Sequence, residues 1–170
     1  AELVRRLGDL PAPIQAVVVP MDGFHLADHV LAAAGLADVK GHPDTFDASG
    51  FVALLTRIRS APDEVVYAPS FDRSRELAVA GAIAVPATVP VVLVEGNYLL
   101  LDTPPWARLA DLLDETWYLD VPAPLREQRL LARHRSGHGE GAAAWIDGVD
   151  RPNAVLVETT RHRASLAVAL

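Results

Sequence analysis

Residues 16–26 read Ala-Val-Val-Val-Pro-Met-Asp-Gly-Phe-His-Leu, and this run constrains the fold more than any other. Three β-branched valines behind Ala16 predict a short strand buried on both faces, as inside a parallel sheet. Pro20 ends it, having no N–H to give to a ladder. Asp22 then sets a carboxylate just past the strand's carboxyl end, with Gly23 beside it to let the backbone bend. In open α/β sheets that edge is where ligands bind. An Asp-Gly pair also makes ordinary turns, so one occurrence decides nothing.

A second occurrence shifts the balance. Residues 91–98, Val-Val-Leu-Val-Glu-Gly-Asn-Tyr, predict another buried strand with Glu95 at its carboxyl end. A charge at the tip of an apolar run is costly without a partner. Hydrated Mg2+, which carboxylates and phosphates hold together, is one such partner. Residues 116–121 predict a third strand and residues 165–170 a last one, with helical patterns at 28–34, 51–59, 106–113 and 123–135 between them. Strands and helices alternating in this way indicate an α/β fold with a parallel sheet. At 170 residues the chain suits a single domain with a real core.

Between the two acid-tipped strands lie two less regular segments. Residues 40–47, Lys-Gly-His-Pro-Asp-Thr-Phe-Asp, form a polar, turn-rich loop of the kind that carries function. Asp47 reads equally as the cap of the following helix and as a ligand contact. Residues 65–67 predict a strand that breaks at Pro69, followed by a charged stretch and a second extended piece near 82–85, an excursion or hairpin reaching over the site. Arg73 and Arg75 alternate there as in extended chain, so they are expected to face the same way.

Residues 122–135 are the most basic part of the chain, with Arg126, Arg129 and Arg133 at i, i+3 and i+7 on one helix face. Arginine forks suit phosphate oxygens, though a solvated helix balanced by Glu127 has the same composition. His134 and His138 lie four apart, but Gly137 interrupts the helix and no third zinc ligand is evident.

Composition excludes several classes. A net charge of −7 argues against a nucleic-acid binder. No apolar run is long enough to span a bilayer and no signal pattern opens the chain, so a cytoplasmic location is the default. The absence of cysteine rules out disulfides and thiolate metal sites. No nucleophile elbow or metal-ligand cluster supports a hydrolase.

Taken in order, Pro-Met-Asp-Gly-Phe-His, Lys-Gly-His-Pro-Asp-Thr-Phe-Asp, Ala-Pro-Ser-Phe-Asp-Arg, Val-Glu-Gly-Asn-Tyr-Leu-Leu and the arginine helix resemble the phosphoribulokinase/uridine kinase family of P-loop kinases. The similarity is greatest to bacterial members carrying Pro-Met-Asp-Gly-Phe-His, and it covers nearly the whole chain. It implies a three-layer P-loop NTPase-like sandwich with a mostly parallel sheet, a small hairpin excursion and a helical lid at about 123–140. It implies Asp22 as general base, Glu95 at the end of the Walker B strand acting on Mg2+ through water, and Arg129 and Arg133 as lid arginines. Substrate contacts are implied for His25, His42, Asp47, Arg75 and Tyr98, with Asn153 near the adenine. ATP and Mg2+ are then the cofactors and a small-molecule hydroxyl the acceptor; nucleic acid and membrane are not partners, and a homodimer stays open.

One part of the family pattern is missing. No Gly-x-x-x-x-Gly-Lys-Ser/Thr occurs, and Gly41-His42 follow Lys40 where Ser or Thr is required. The chain also begins as a helix tail with no initiator methionine, so the expectation is a kinase cut before or within its phosphate-loop helix and inactive as it stands. The alternative is a non-catalytic pseudokinase remnant. In this family the phosphate-loop strand lies between the strands matching 91–95 and 117–121. The kinase reading therefore predicts no ladder between those two.

Overall fold

The structure, a computed structural model, describes residues 2–61, 63–134 and 142–169, and for residues 133, 134 and 142 the backbone alone. Helix α1 (Glu2–Gly8) leads into strand β1 (Ala16–Pro20), a 3-10 turn at Met21–Phe24 and helix α2 (Asp28–Ala33). The loop to Asp47 precedes helix α3 (Ala48–Ser60), strands β2 (Val66–Asp72) and β3 (Leu77–Val85), and strand β4 (Val91–Glu95). A 3-10 helix at Trp106–Asp111, strand β5 (Trp117–Asp120), helices α4 (Ala123–His134), α5 (Ala142–Trp145) and α6 (Arg151–Thr159), and strand β6 (Leu166–Ala169) complete the chain.

The strands form three ladders. β1 and β4 pair in parallel from Ala16↔Val91 to Pro20↔Glu95, and β5 pairs in parallel with β6 from Trp117↔Leu166 to Asp120↔Ala169. β2 and β3 make the antiparallel hairpin. No ladder joins β4 to β5 among the described residues, as the kinase reading expects. Trp117, Leu119 and Leu166, apolar residues of the β5–β6 ladder, are exposed. β1 departs from the expectation of burial on both faces. Only Val19 is fully buried and Val17 and Val18 are half-covered; β4 is the one strand laddered to β1 among the described residues.

One further expectation needs correction. Pro69 does not break β2; the strand runs through it to Asp72, with a register shift between Ala68 and Ser70. A bulge is where a strand tolerates a residue without an N–H. The helix expected at 106–113 is present as a 3-10 helix over Trp106–Asp111.

The core gathers Met21 beyond β1, Phe46 from the polar loop, Phe51 and Leu55 from α3, and Tyr98 and Trp106 after β4. Their rings meet edge-on or tilted, with Phe46 5.7 Å from Tyr98 and Tyr98 5.8 Å from Trp106. Such offset geometry is preferred by aromatic quadrupoles. It fixes the loop at 41–47 against the carboxyl end of the β1–β4 ladder. No helix among the described residues is long and apolar enough to cross a membrane.

Candidate active site at the carboxyl ends of β1 and β4

Pro20 and Glu95 are register partners, so β1 and β4 end side by side and deliver both acids to one edge. Met21 turns into the core and Asp22 turns outward, half-buried, one residue later. Gly23 lies hard against the hairpin: a Cβ there would stand 2.5 Å from the Pro69 carbonyl oxygen. Gly96 is matched as tightly to Met21, where an added Cβ would meet the Met21 Cβ at 2.5 Å. The two acid-bearing turns are therefore packed against neighbours with no room for larger residues.

Asp22 Oδ2 accepts a hydrogen bond from Arg73 Nη2 at 3.1 Å, which ties the hairpin tip to the first acid. Glu95 opens to solvent at its end, yet enough protein surrounds it for burial to push its carboxyl above the ordinary carboxylate range. The Asp22 charge adds to that rise, and Arg73 opposes it. Two carboxylates and one guanidinium thus share a single electrostatic neighbourhood.

His25 completes the turn. Its Nδ1 stands 2.9 Å from the Asp22 carbonyl oxygen, an acceptor, so Nδ1 carries the proton and Nε2 is the free acceptor. Burial holds this imidazole below its ordinary pKa, against the raising effect of the Asp22 carbonyl and charge. A backbone bridge joins His25 to Phe46, and Asp47 N–H donates to Phe24 at 2.8 Å. The loop is thereby zipped to the Asp22 turn.

The other expected residues separate into those the fold gathers and those it does not. Asp47 caps α3, its Oδ1 accepting from Gly50 N–H at 2.8 Å. Tyr98 is fully buried and its hydroxyl donates to the Gly41 carbonyl, so it supports the loop at 41–47. His42 bonds locally to the Asp44 N–H at 3.4 Å. Arg75 turns back on Asp72, 3.7 Å away, while Arg73 reaches Asp22. The expected alternation fails because residues 73–76 form a turn and not a strand. Arg73, which the sequence places beside Arg75 without a role of its own, is the arginine that reaches Asp22; its place at the hairpin turn is the one signal that could have marked it.

On α4, Arg126 pairs with Glu158 at 3.0 Å and Glu127 with Arg151 at 3.2 Å, which anchors the helix to α6. Arg129 is exposed and makes no contact with Asp22 or Glu95 among the described residues. The Arg133 side chain, and the lid portion at 135–140 with His138, lie outside the described residues. Asn153 is half-buried on α6. A groove of about 490 Å³ lies behind the loop, lined by His42, Asp47, Trp106, Leu156 and Arg163 but by neither Asp22 nor Glu95.

No cluster of three acids or histidines that could enclose a metal exists among the described residues. Asp22 and Glu95, close enough for the charge of one to act on the other, are nevertheless hard oxygen donors of the kind that suits Mg2+, which keeps most of its waters and shares phosphate oxygens.

Comparison with known proteins fits this geometry. No family model matches the chain. The uncharacterized protein YggC of Escherichia coli K12 is 37% identical over 165 residues, covering 95% of this chain and 66% of its own length. A candidate uridine kinase of Schizosaccharomyces pombe is 35% identical over 69% of this chain and 52% of its own. The crystal structure of a candidate fructose transport system kinase from Silicibacter sp. TM1040 superposes with a TM-score of 0.88 at 38% identity, covering 98% of this chain and 80% of that one. The chain belongs to the phosphoribulokinase/uridine kinase family of P-loop kinases. It spans about two thirds of the Escherichia coli relative's length and half of the fission-yeast one's. As a member of that family it shows the acid-tipped β1 and β4 strands without a Gly-Lys-Ser/Thr sequence.

Proposed function

We propose that this chain supplies the acceptor site and general base of an ATP-dependent kinase acting on a hydroxyl of a small molecule. The observation that carries the reading is the delivery of Asp22 and Glu95 to one edge by two register-matched parallel strands. Arg73 occupies Asp22 Oδ2, which leaves Oδ1 to take the proton of an acceptor hydroxyl. Glu95 would hold Mg2+ through water; the ion, when bound, neutralises charge on the phosphates. Arg129 and Arg133, on one face of α4, close on the migrating phosphoryl group, and Asn153 lies toward the adenine. A phosphate loop would enter on a strand seated between β4 and β5, which make no ladder with each other among the described residues. A direct β4–β5 ladder would have favoured the non-catalytic reading.

The test is transfer from Mg-ATP to a panel of sugars, polyols, nucleosides and pantothenate by the full-length protein, followed by 31P NMR. A phosphomonoester product is expected with at least one alcohol. A folded protein that binds ATP and phosphorylates none of them would overturn the reading.

A further inference from the structure

The rings beside Asp22 are already occupied. The His25 imidazole lies 4.0 Å from the Phe46 ring and 4.8 Å from the Phe71 ring, tilted 46° and 44° against them. It fills the gap between loop and hairpin that a planar ligand would need. Lys40 Nζ lies 5.7 Å from the centre of the Phe71 ring, held by Asp28 at 2.7 Å and Glu76 at 3.8 Å. Phe46 is buried, its remaining contacts being edge-on to Tyr98 and Trp106. A nucleobase gains its affinity by stacking on an open aromatic face, and these two rings are spent on the protein's own imidazole. What the imidazole offers instead is polar: with Nδ1–H given to the Asp22 carbonyl, Nε2 remains as an acceptor for a hydroxyl.

We infer that His25 is a specificity-determining plug, and that the acceptor alcohol is a non-aromatic polyhydroxyl compound of the sugar or polyol class and not a nucleoside. This rests on the kinase reading above and narrows it. The recognition is by hydrogen bonds that neighbouring hydroxyls donate to the Asp22 carboxylate and to His25 Nε2, with the Phe46 and Phe71 rings serving to fix the imidazole plane. A site built to hydrogen-bond hydroxyls discriminates strongly against ligands that cannot satisfy it.

Methyl β-D-ribofuranoside and uridine test this directly, because they share the 5′-hydroxyl and ribose ring and differ by the base. The full-length protein is assayed with Mg-ATP and each compound, with D-fructose and ribitol alongside. The expected result is kcat/KM for a sugar or polyol at least equal to that for uridine. His25→Ala should then raise the uridine-to-furanoside ratio about tenfold or more by opening the stacking slot. Phe71→Ala, which removes the other wall, is read by the same ratio if His25→Ala does not fold. A wild-type preference for uridine, or a ratio unmoved by either variant, overturns the inference and leaves the kinase reading standing. Failure to phosphorylate any alcohol by a protein that binds ATP overturns both.

Discussion

Arg73 and Asp22 are 51 positions apart in sequence, and the guanidinium Nη2 of one donates to Oδ2 of the other at 3.1 Å. The bond joins the hairpin tip to the edge where β1 and β4 end. Arg73 is two-thirds exposed, so the pair adds little to stability, below about 1 kcal/mol. Its worth is in orientation. Arg73→Ala should therefore lower kcat about tenfold by freeing the base carboxylate to rotate, while the melting temperature barely moves. Arg73→Lys should restore part of the loss, since an ammonium keeps the charge but not the fork. Steady-state kinetics paired with thermal melts check this, and an unchanged kcat in Arg73→Ala would remove Arg73 from the site.

Glu95 predicts a pH dependence with a definite sign. Burial, then the Asp22 charge, raise its carboxyl above the ordinary value of 4.5. A raised acid binds its proton more tightly in the folded state, so stability falls as pH rises from 4.5 through the folded value and stays lowered above it. Glu95→Gln should thus be more stable than the parent at neutral pH, by less than about 1 kcal/mol because the group is open to solvent. The difference should vanish in acid below 4.5. Added Mg2+ should stabilise the parent more than the variant. Urea unfolding across pH measures each of these, and a variant less stable at neutral pH would contradict the assignment.

Tyr98 tests the support of the loop at 41–47. Its hydroxyl donates to the Gly41 carbonyl from a fully buried ring. Tyr98→Phe keeps the ring contacts with Phe46 and Trp106 and removes only the bond, at a cost of about 1–2 kcal/mol for the carbonyl left unpaired. Because the loss falls on the loop at 41–47, the acceptor KM should rise more than kcat falls. Chemical denaturation and kinetics on one preparation separate the two effects.

Much of this arrangement was legible from residue order. The run at 91–95 closes on Glu95 and the run at 16–20 is followed two residues later by Asp22, so strand type and the shared edge followed from local chemistry, whereas the expected burial did not: both strands are mostly half-covered. The last strand at 166–169 was visible as an apolar piece for the same reason. Partner choice was not. Whether Arg73 or Arg75 meets Asp22 depends on the turn at 73–76, where Glu76 takes φ 53° and breaks the alternation of extended chain. Pro69 reads as a break because the bulge that tolerates it needs β3 as a partner. Tyr98 follows Glu95 closely enough to resemble a site residue, and only packing shows its hydroxyl turned to Gly41.

The measurement that reaches the central claim most directly is the kcat of Asp22→Asn in the full-length protein, with its acceptor and Mg-ATP, beside the ATP dissociation constant. Asparagine keeps the shape and can still meet Arg73 through its oxygen, but it cannot take the hydroxyl proton. A loss of about 10²-fold or more in kcat is predicted, with ATP affinity nearly unchanged. Full activity in Asp22→Asn would contradict the account.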